Sequence, residues 1–517
     1  MGPSMNREPV AVSPDDEYNR MLVHNVHPPD WMNPDPAPRY NLVVIGAGTA
    51  GLVTAAIGAA LGAKVALIER HLMGGDCLNV GCVPSKAVIR ASRAWMQVRS
   101  AEEFGVQIPS GVKYEFSAAM TRMRKLRARI SAMDSVHRYK KMGIDVFIGN
   151  GQFTELDKVE VGGRVLRFSR AAICTGARAF VPSISGLREA GYHTNETIFS
   201  LTQVPQRMAV IGAGPIGCEL AQAFSRFGSQ VYVFEQSRQI LPQEDQDAAE
   251  LLQERMKREG VHIVLQCQMT RVEVRGGEKI LYYLTNGVEK KQAVDDILVG
   301  TGRIPNVEGL GLEKAGVQYD VKTGIKVNSR LQTTNPRIFA AGDVCFPFKF
   351  THTADALAQI MIQNALFPHP FGLGYVSTDS LIIPWCTYTD PEIAHVGLYE
   401  AEARTKGIDV ETFTFRLDEV DRAVLDGEED GFARVCVRKG TDRILGATIV
   451  AAHAGEMISE LTLAMKAGAG LATLSRVIHP YPTQAEVIRK VANVWRKNAL
   501  TEGKKKILSR WFAWARK

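Results

Sequence analysis

An α/β fold is what this sequence predicts, and three observations carry the prediction. A strand, a glycine turn and a helix follow one another near residue 40, the same succession recurs near residue 207, and an acidic residue closes the next strand in both copies. In the first copy Tyr40–Ile45 reads as a buried strand, Gly46, Gly48 and Gly51 make the turn, and Leu52–Leu61 is a small-residue helix ended by Gly62. Lys64–Glu69 is the strand that follows. In the second copy Met208–Ile211 is the strand, Gly212, Gly214 and Gly217 make the turn, and Gln230–Glu235 is the next strand. The last glycine of each G-x-G-x-x-G stands 18 positions before the acid, Gly51 before Glu69 and Gly217 before Glu235. At that spacing a carboxylate reaches a ribose hydroxyl while the glycines and the helix N-terminus hold a pyrophosphate. One such motif is weak evidence. Two, each with strand, helix and acid in register, predict two Rossmann-like dinucleotide-binding domains.

The rest of the chain bounds what surrounds these units. With 517 residues, 45% hydrophobic and 23% charged, three or four domains and several apolar cores are expected. Eight cysteines are too sparse for a disulfide scaffold, and no secretory leader pattern opens the chain, so a reducing, cytoplasmic setting is the expectation. The net charge of +7 is concentrated at the C-terminal end, where residues 487–517 hold ten Lys or Arg against the single acid Glu502. The body is nearly neutral, which argues against a nucleic-acid binder. Residues 42–63 form a charge-free run of 22 residues, long enough to cross a bilayer. Its order of β-rich segment, glycine turn and helix speaks against a membrane span. Residues 1–38, with Pro28, Pro29, Pro34, Pro36 and Pro38 and no sustained apolar period, read as an extension outside the first domain.

Directly after the first unit comes Gly74-Gly75-Asp76-Cys77-Leu78-Asn79-Val80-Gly81-Cys82-Val83-Pro84-Ser85-Lys86. Five positions along a regular helix separate two residues by ~7.5 Å, too far for a disulfide, so a bridge between Cys77 and Cys82 requires an irregular turn, which Gly81 permits. A helix starting near Cys82 would lower the pKa of its thiol. Half a zinc site and a pair of inert buried thiols are the alternative readings. The remaining cysteines are isolated from one another, which disfavours four-ligand zinc.

With Gly74–Lys86 behind a flavin-type turn, a second glycine turn downstream, and Thr333-Thr334-Asn335-Pro336-Arg337-Ile338-Phe339-Ala340-Ala341-Gly342-Asp343 beyond it, the chain resembles the flavin-dependent pyridine nucleotide–disulfide oxidoreductases from about Tyr40 to about Val494. The resemblance implies FAD on the first unit, NAD(P)H on the second, and a homodimer formed through a C-terminal α+β dimerisation domain. It implies a redox-active Cys77–Cys82 disulfide, with Cys82 nearest the flavin as the charge-transfer thiolate and Cys77 as the outer cysteine that exchanges with substrate. Gly75 belongs to the FAD contact, Asp343 after Gly342 matches the acid holding the ribityl chain, and Lys86 with Glu219 matches an ion pair beside flavin N5. Thr175-Gly176 and the turn around Gly302 match the two connectors between domains. The implied limits are 39–186 and 307–376 for FAD, 187–306 for NAD(P), 377–495 for dimerisation and 496–517 for a basic amphipathic tail. A carboxylate at Glu235 favours NADH over NADPH, with Arg238 nearby softening that preference.

The C-terminal motif departs from the family's pattern. Where the disulfide-reducing members carry His-Pro-Thr-x-x-Glu, this chain has Tyr481-Pro482-Thr483-Gln484-Ala485-Glu486, with His479 two residues earlier. Tyrosine there is similar to the mercuric reductases, but their C-terminal cysteine pair and N-terminal metal-binding domain are expected to have no counterpart, since the last cysteine is Cys436 and residues 1–38 contain none. Tyr481, Glu486 and His479 are the site candidates. The acceptor is expected to be a disulfide, a metal ion or another small oxidant, and no resident metal is expected. A dihydrolipoyl dehydrogenase is the second reading. A low-turnover redox-responsive flavoprotein that binds a membrane partner is the third. Two charged stretches complete the sequence. Arg122–Lys141, with eight basic residues and the one acid Asp134, reads as a solvated helix face. Lys504–Lys517 reads as an amphipathic helix carrying Ile507, Leu508, Trp511, Phe512 and Trp514 on one side, suited to peripheral contact with the inner face of a membrane or to the dimer partner.

Overall fold

A computed structural model describes residues 10–516, so Lys517 of the tail and residues 1–9 of the extension lie outside the described residues. Two compact units emerge: the residues up to Gln236 together with Gln266–Ser380, and Ser237–Leu265 together with the residues from Leu381 on.

The first unit is built on a seven-stranded sheet. Its strands are β1 (Tyr40–Ile45), β2 (Val65–Glu69), β3 (Asp145–Ile148), β4 (Gly151–Glu155), β5 (Lys158–Val161) and β6 (Arg164–Ile173), with the short strand Ile338–Ala340 added on β6. The order is β3-β2-β1-β6-β5-β4. The pairs β1/β2, β2/β3 and β1/β6 are parallel, and β4, β5 and β6 form an antiparallel meander. Because β1 and β2 are covered on both faces, nearly every one of their side chains is buried, as a parallel sheet requires. The helix after β1, α2 (Thr49–Ala60), starts at the glycine turn. The expected second strand–turn–helix succession is present too, within this same unit. Gln230–Phe234, Arg207–Ile211 and Asp296–Val299 lie side by side and parallel, and the helix Pro215–Arg226 begins at its glycine turn. The charge-free run of residues 42–63 is thus strand and helix. Among the described residues no helix is long and apolar enough to cross a membrane.

The extension departs from the expectation that it lies outside the first domain. Residues 17–26 form a helix, α1 (Glu17–Val26), capped by the Asp16 side chain on the Asn19 N–H. Leu22 and Val26 are fully buried, against α5 (Phe116–Ser131) and α6 (Val136–Lys141). The prolines obscured this because they flank the helix rather than interrupt it. Beyond α1, the Asn33 amide donates to the Ile148 carbonyl (3.0 Å) and accepts from its N–H (2.8 Å). A side chain therefore satisfies the backbone of Ile148 on the edge strand β3. The basic stretch 122–141 is also corrected. Lys125 and Arg129 face outward, but Arg124 and Arg127 are 6% and 3% exposed and point into the contact with α1.

The second unit is an α+β layer. Its five antiparallel strands run in the order Pro384–Thr387, Glu392–Gly397, Ile444–Ala451, Phe432–Arg438, Val410–Arg416, with helices Ala454–Ala467 and Glu486–Asn498 packed on them through a single apolar core. Residues 237–265 join this unit through Glu244, which accepts from Trp385 Nε1 (2.9 Å) and the Tyr399 hydroxyl (2.6 Å), and through the ion pair of Asp245 with Arg434 (3.2 Å).

Candidate active site

The first glycine turn is shaped by steric necessity. Gly46 has φ +99°, and a Cβ there would meet the Cys174 carbonyl oxygen at 2.3 Å; a Cβ on Gly51 would meet the Gly46 carbonyl at 1.8 Å. Gly48 is different, for its nearest neighbour would be the Gly75 Cα at 3.7 Å. Gly48 caps α2 without any side-chain hydrogen bond, so the N–H groups of the helix's first turn remain available to a phosphate. Glu69, buried at the end of β2, accepts from the N–H of Ala47 (2.7 Å) and of His71 (2.8 Å), and burial raises its pKa. A carboxylate has about four acceptor positions, so those two bonds leave capacity for a ribose. At the second glycine turn Glu235 likewise accepts from the Ala213 N–H (2.7 Å), and a Cβ on Gly217 would strike the Gly212 carbonyl at 2.1 Å while Gly214 stands open. Both turns thus fit a dinucleotide.

The connectors lie next to one another. Ala177–Ala179, after Thr175 and Gly176, pairs antiparallel with Arg303–Pro305, after Gly302, and Thr175 Oγ1 donates to the Asn306 carbonyl (2.7 Å). Arg303 pairs with Asp76, next to Cys77, and lies 3.5 Å from Asp343, just after Gly342. Burial disfavours the Arg303 cation, but Asp76 and Asp343 outweigh it and hold the pKa up; burial is also what raises Asp343.

Cys77 sits on the short helix α3 (Gly75–Asn79), and α4 (Cys82–Arg99) begins at Cys82 itself. The irregular turn is made by Gly81, where a Cβ would meet the Asp76 carbonyl at 2.7 Å. Both cysteines are free thiols, Cys82 exposed and Cys77 half-buried, within hydrogen-bonding reach of each other. Their acidities are driven apart. The bond from the Cys77 thiol, then that from Thr351 and the charge of Lys86, lower Cys82 to about 6 although the surrounding protein partly desolvates the thiolate. The same bond and burial raise Cys77. A stable thiolate at Cys82 beside a protonated Cys77 follows. Lys86, one turn along α4, pairs with Glu219 of the helix Pro215–Arg226 at 2.8 Å, so those two candidates are brought together. Thr351, whose Oγ1 lies 3.3 Å from Cys82 Sγ, escaped sequence reasoning. It opens the helix Thr351–Leu366 eight positions after Asp343, and no spacing rule singles it out.

The C-terminal candidates are not joined. Glu486 is buried and pairs with Arg489, His479 bonds Glu460 (3.1 Å), and the Tyr481 hydroxyl donates to Asp421 (2.8 Å), which raises its pKa.

Two results are expected. Gly46→Ala lowers the melting temperature of the apoprotein, whereas Gly48→Ala leaves it unchanged while reducing the flavin recovered per chain, both read by thermal melting and absorbance. Alkylation of Cys82 in the reduced protein, followed by mass spectrometry, rises with pH through a midpoint near 6 as the thiolate forms. Lys86→Met moves that midpoint upward.

Residues 40–360 match the family model "Pyridine nucleotide-disulphide oxidoreductase", and residues 383–492 match its dimerisation domain. The chain is similar to a mercuric reductase from Lysinibacillus sphaericus, 34% identical over 453 residues, spanning 88% of this chain and 82% of the relative. It is equally similar to a dihydrolipoyl dehydrogenase from Chlamydia muridarum, 34% identical over 455 residues, 87% of this chain and 95% of that one. In structure it resembles the HOCl-induced flavoprotein disulfide reductase RclA from Escherichia coli, with a TM-score of 0.78 and 28% identity over 88% of this chain and 99% of that one. A Cu(II) complex of an RclA mutant matches with a TM-score of 0.79 at 27% identity, over 88% and 99% of the two chains.

Proposed function

The chain belongs to the pyridine nucleotide-disulphide oxidoreductases, and from that premise we propose that it takes electrons from NADH and delivers them through Cys77 and Cys82 to a thiophilic metal ion. It is a flavin-dependent disulfide oxidoreductase of the mercuric-reductase-like kind, its cofactors are FAD and NAD(P)H, and its C-terminal domain is that of a homodimer. Bound FAD supplies the relay between a two-electron hydride donor and the cysteine pair. On this reading Gly46, Gly48, Gly51, Glu69, Gly75, Thr175, Gly176, Gly342 and Asp343 hold it, with Gly212, Gly214, Gly217, Glu235 and Gly302 serving the nicotinamide nucleotide. Lys86, paired with Glu219, supplies positive charge near Cys82, and Cys77 is the thiol that meets the acceptor. The domain limits are those implied by the family.

The observation that favours a metal ion is the C-terminal motif. Reducing a disulfide with NADH consumes a proton and releases two thiols, so the leaving thiolate needs a proton donor. Here Tyr481 stands in the place of the histidine and bonds Asp421, while the glutamate that would orient a histidine pairs with Arg489. Reducing a divalent soft metal ion with NADH instead yields the metal, NAD⁺ and a proton, and leaves no thiolate to protonate. Two thiolates are the ligands such an ion prefers. NADH is favoured because Glu235 stands where a 2′-phosphate would lie.

In steady-state assays mercury(II) with excess thiol is expected to support faster NADH oxidation than lipoamide, with kcat/KM for NADH at least about tenfold above that for NADPH. Cys82→Ser is expected to abolish turnover together with the long-wavelength absorption band of the anaerobically reduced protein. Lipoamide turnover exceeding that with mercury(II) would overturn the metal reading in favour of the dehydrogenase.

The tail supports a peripheral place at the inner face of an anionic membrane, in an otherwise cytoplasmic enzyme. Glu502–Ala515 is a helix with no buried residue, and Ile507, Trp511, Phe512 and Trp514 are all more than half exposed. Lys505, Lys506, Arg510 and Arg516 flank or oppose that stripe, so aromatic side chains can enter the headgroup layer while the cations meet lipid phosphates. It also lies beyond the matched dimerisation domain. Full-length protein is expected to co-sediment with phosphatidylglycerol vesicles and to be released by salt, while a chain ending at Glu502 stays in solution. Equal sedimentation of the two, with loss of dimer in the truncated chain, would assign the helix to the subunit contact instead.

A further inference from the structure

Three buried residues run in a line from the N-terminal extension to the cysteine pair. Asn19 of α1, Arg127 of α5 and Asn79 of α3 are 2%, 3% and 4% exposed. The Arg127 guanidinium donates to Asn19 Oδ1 (2.7 Å) and to the Asn79 carbonyl (2.6 Å). Asn79 is the last residue of the helix that carries Cys77, and its side-chain amide donates to the carbonyls of Met73 (3.0 Å) and Gly75 (2.9 Å). The asparagine side chain thus ties the end of α3 to its start, and Arg127 holds that end by its carbonyl. Next to this line, Arg124 of α5 pairs with Asp16, the N-cap of α1.

The energetics of Arg127 are unusual for a residue with only a packing role. Burying a guanidinium is costly, and an apolar residue of similar size commonly packs as well or better. Burial, together with the neighbouring charge of Arg124, lowers its pKa to about 10, while Asp16 acts in the opposite direction. What the cation provides is a strong, oriented donor at a helix C-terminus, where carbonyls lack intrahelical partners and positive charge is favourable. The helix it holds has five residues, too few to be stable alone. The position of Cys77 relative to Cys82, Thr351 and Asp134, the groups that act on its thiol, therefore depends on what grips α3 from outside.

We propose that residues 10–38 form a clamp that acts through Asn19 and Arg127 to hold the Cys77 helix in register with Cys82, so that the extension tunes the reactivity of the cysteine pair. The clamp lies before the region matched by the family model, which begins at residue 40. Asn19 and Arg127 are positioning residues, since they touch neither acceptor nor cofactor. The proposal rests on the reading that Cys77 and Cys82 are the electron exit.

The experiment uses the full-length flavin-loaded enzyme with Asn19→Ala, Arg127→Met, the two combined, and Arg127→Lys. The disulfide–dithiol equilibrium is measured against a dithiothreitol redox buffer, and the alkylation rate of Cys77 is measured at one pH in the reduced enzyme. Asn19→Ala and Arg127→Met are each expected to change both quantities at least about threefold, with the double variant no worse than Arg127→Met, as for residues in one chain of contacts. Arg127→Lys should recover part of the change. Variants that melt earlier but keep the wild-type equilibrium and alkylation rate would overturn the proposal and leave the extension a purely structural strap. If Arg127→Met does not fold, Asn19→Ala, which leaves the guanidinium in place, decides by the same two measurements. A wild-type enzyme whose cysteines stay unchanged on anaerobic addition of NADH would overturn the electron-exit reading and this proposal together.

Discussion

The close approach of backbone to backbone around the first glycine turn is the constraint on which the N-terminal unit depends. The turn after β1 touches the end of β6 at Gly46 and Cys174, and it touches the start of α3 at Gly48 and Gly75, where a Cβ on Gly75 would lie 2.7 Å from the Gly48 Cα. No side chain fits at Gly46 or Gly75, so these glycines bring the first glycine turn, the central strands and the cysteine segment to one place. The cysteine pair is near the first glycine turn because α3 starts against that turn.

From that placement the electrostatics follow. Cys82 occupies the first position of α4 and receives the hydrogen bond of Cys77, the contact of Thr351 and the charge of Lys86. Cys77 gives that hydrogen bond, is partly buried and lies in the influence of Asp134, all of which raise it. Two identical side chains five positions apart therefore take opposite roles, one an anion at neutral pH and the other a neutral thiol. The Lys86–Glu219 pair is half open on the lysine side and buried on the glutamate side, an arrangement with little to offer stability.

Around this core the chain carries two additions of opposite character. The N-terminal one is docked by side chains at every stage, Asp16 to Arg124, Asn19 to Arg127, Asn25 to Ser131 and Asn33 to β3. The C-terminal one, residues 502–515, buries nothing. Polar, well-matched contacts belong to a segment whose partner is the chain itself. An exposed stripe of Trp, Phe and Ile leaves the apolar side of its segment uncovered by the chain itself.

The sequence by itself determined the two nucleotide units, the cysteine segment and the amphipathic tail, because each is a local pattern: glycines at steric pinch points, an acid 18 residues on, a helix beginning at Cys82, a stripe at helical spacing. Such patterns are set by backbone geometry over a few turns and need no distant partner to be recognised. What only the tertiary structure decided was which charged and polar side chains are buried and with whom. Arg124 and Arg127 look like any solvated basic helix until α1 lies across them. Thr351 has no motif, and it matters because its helix starts against Cys82. His479, Glu486 and Tyr481 sit within eight residues of one another in sequence, but pair with Glu460, Arg489 and Asp421. Spacing along the chain says where a side chain can point, but its partners come from other segments, and that information exists only once the chain has folded.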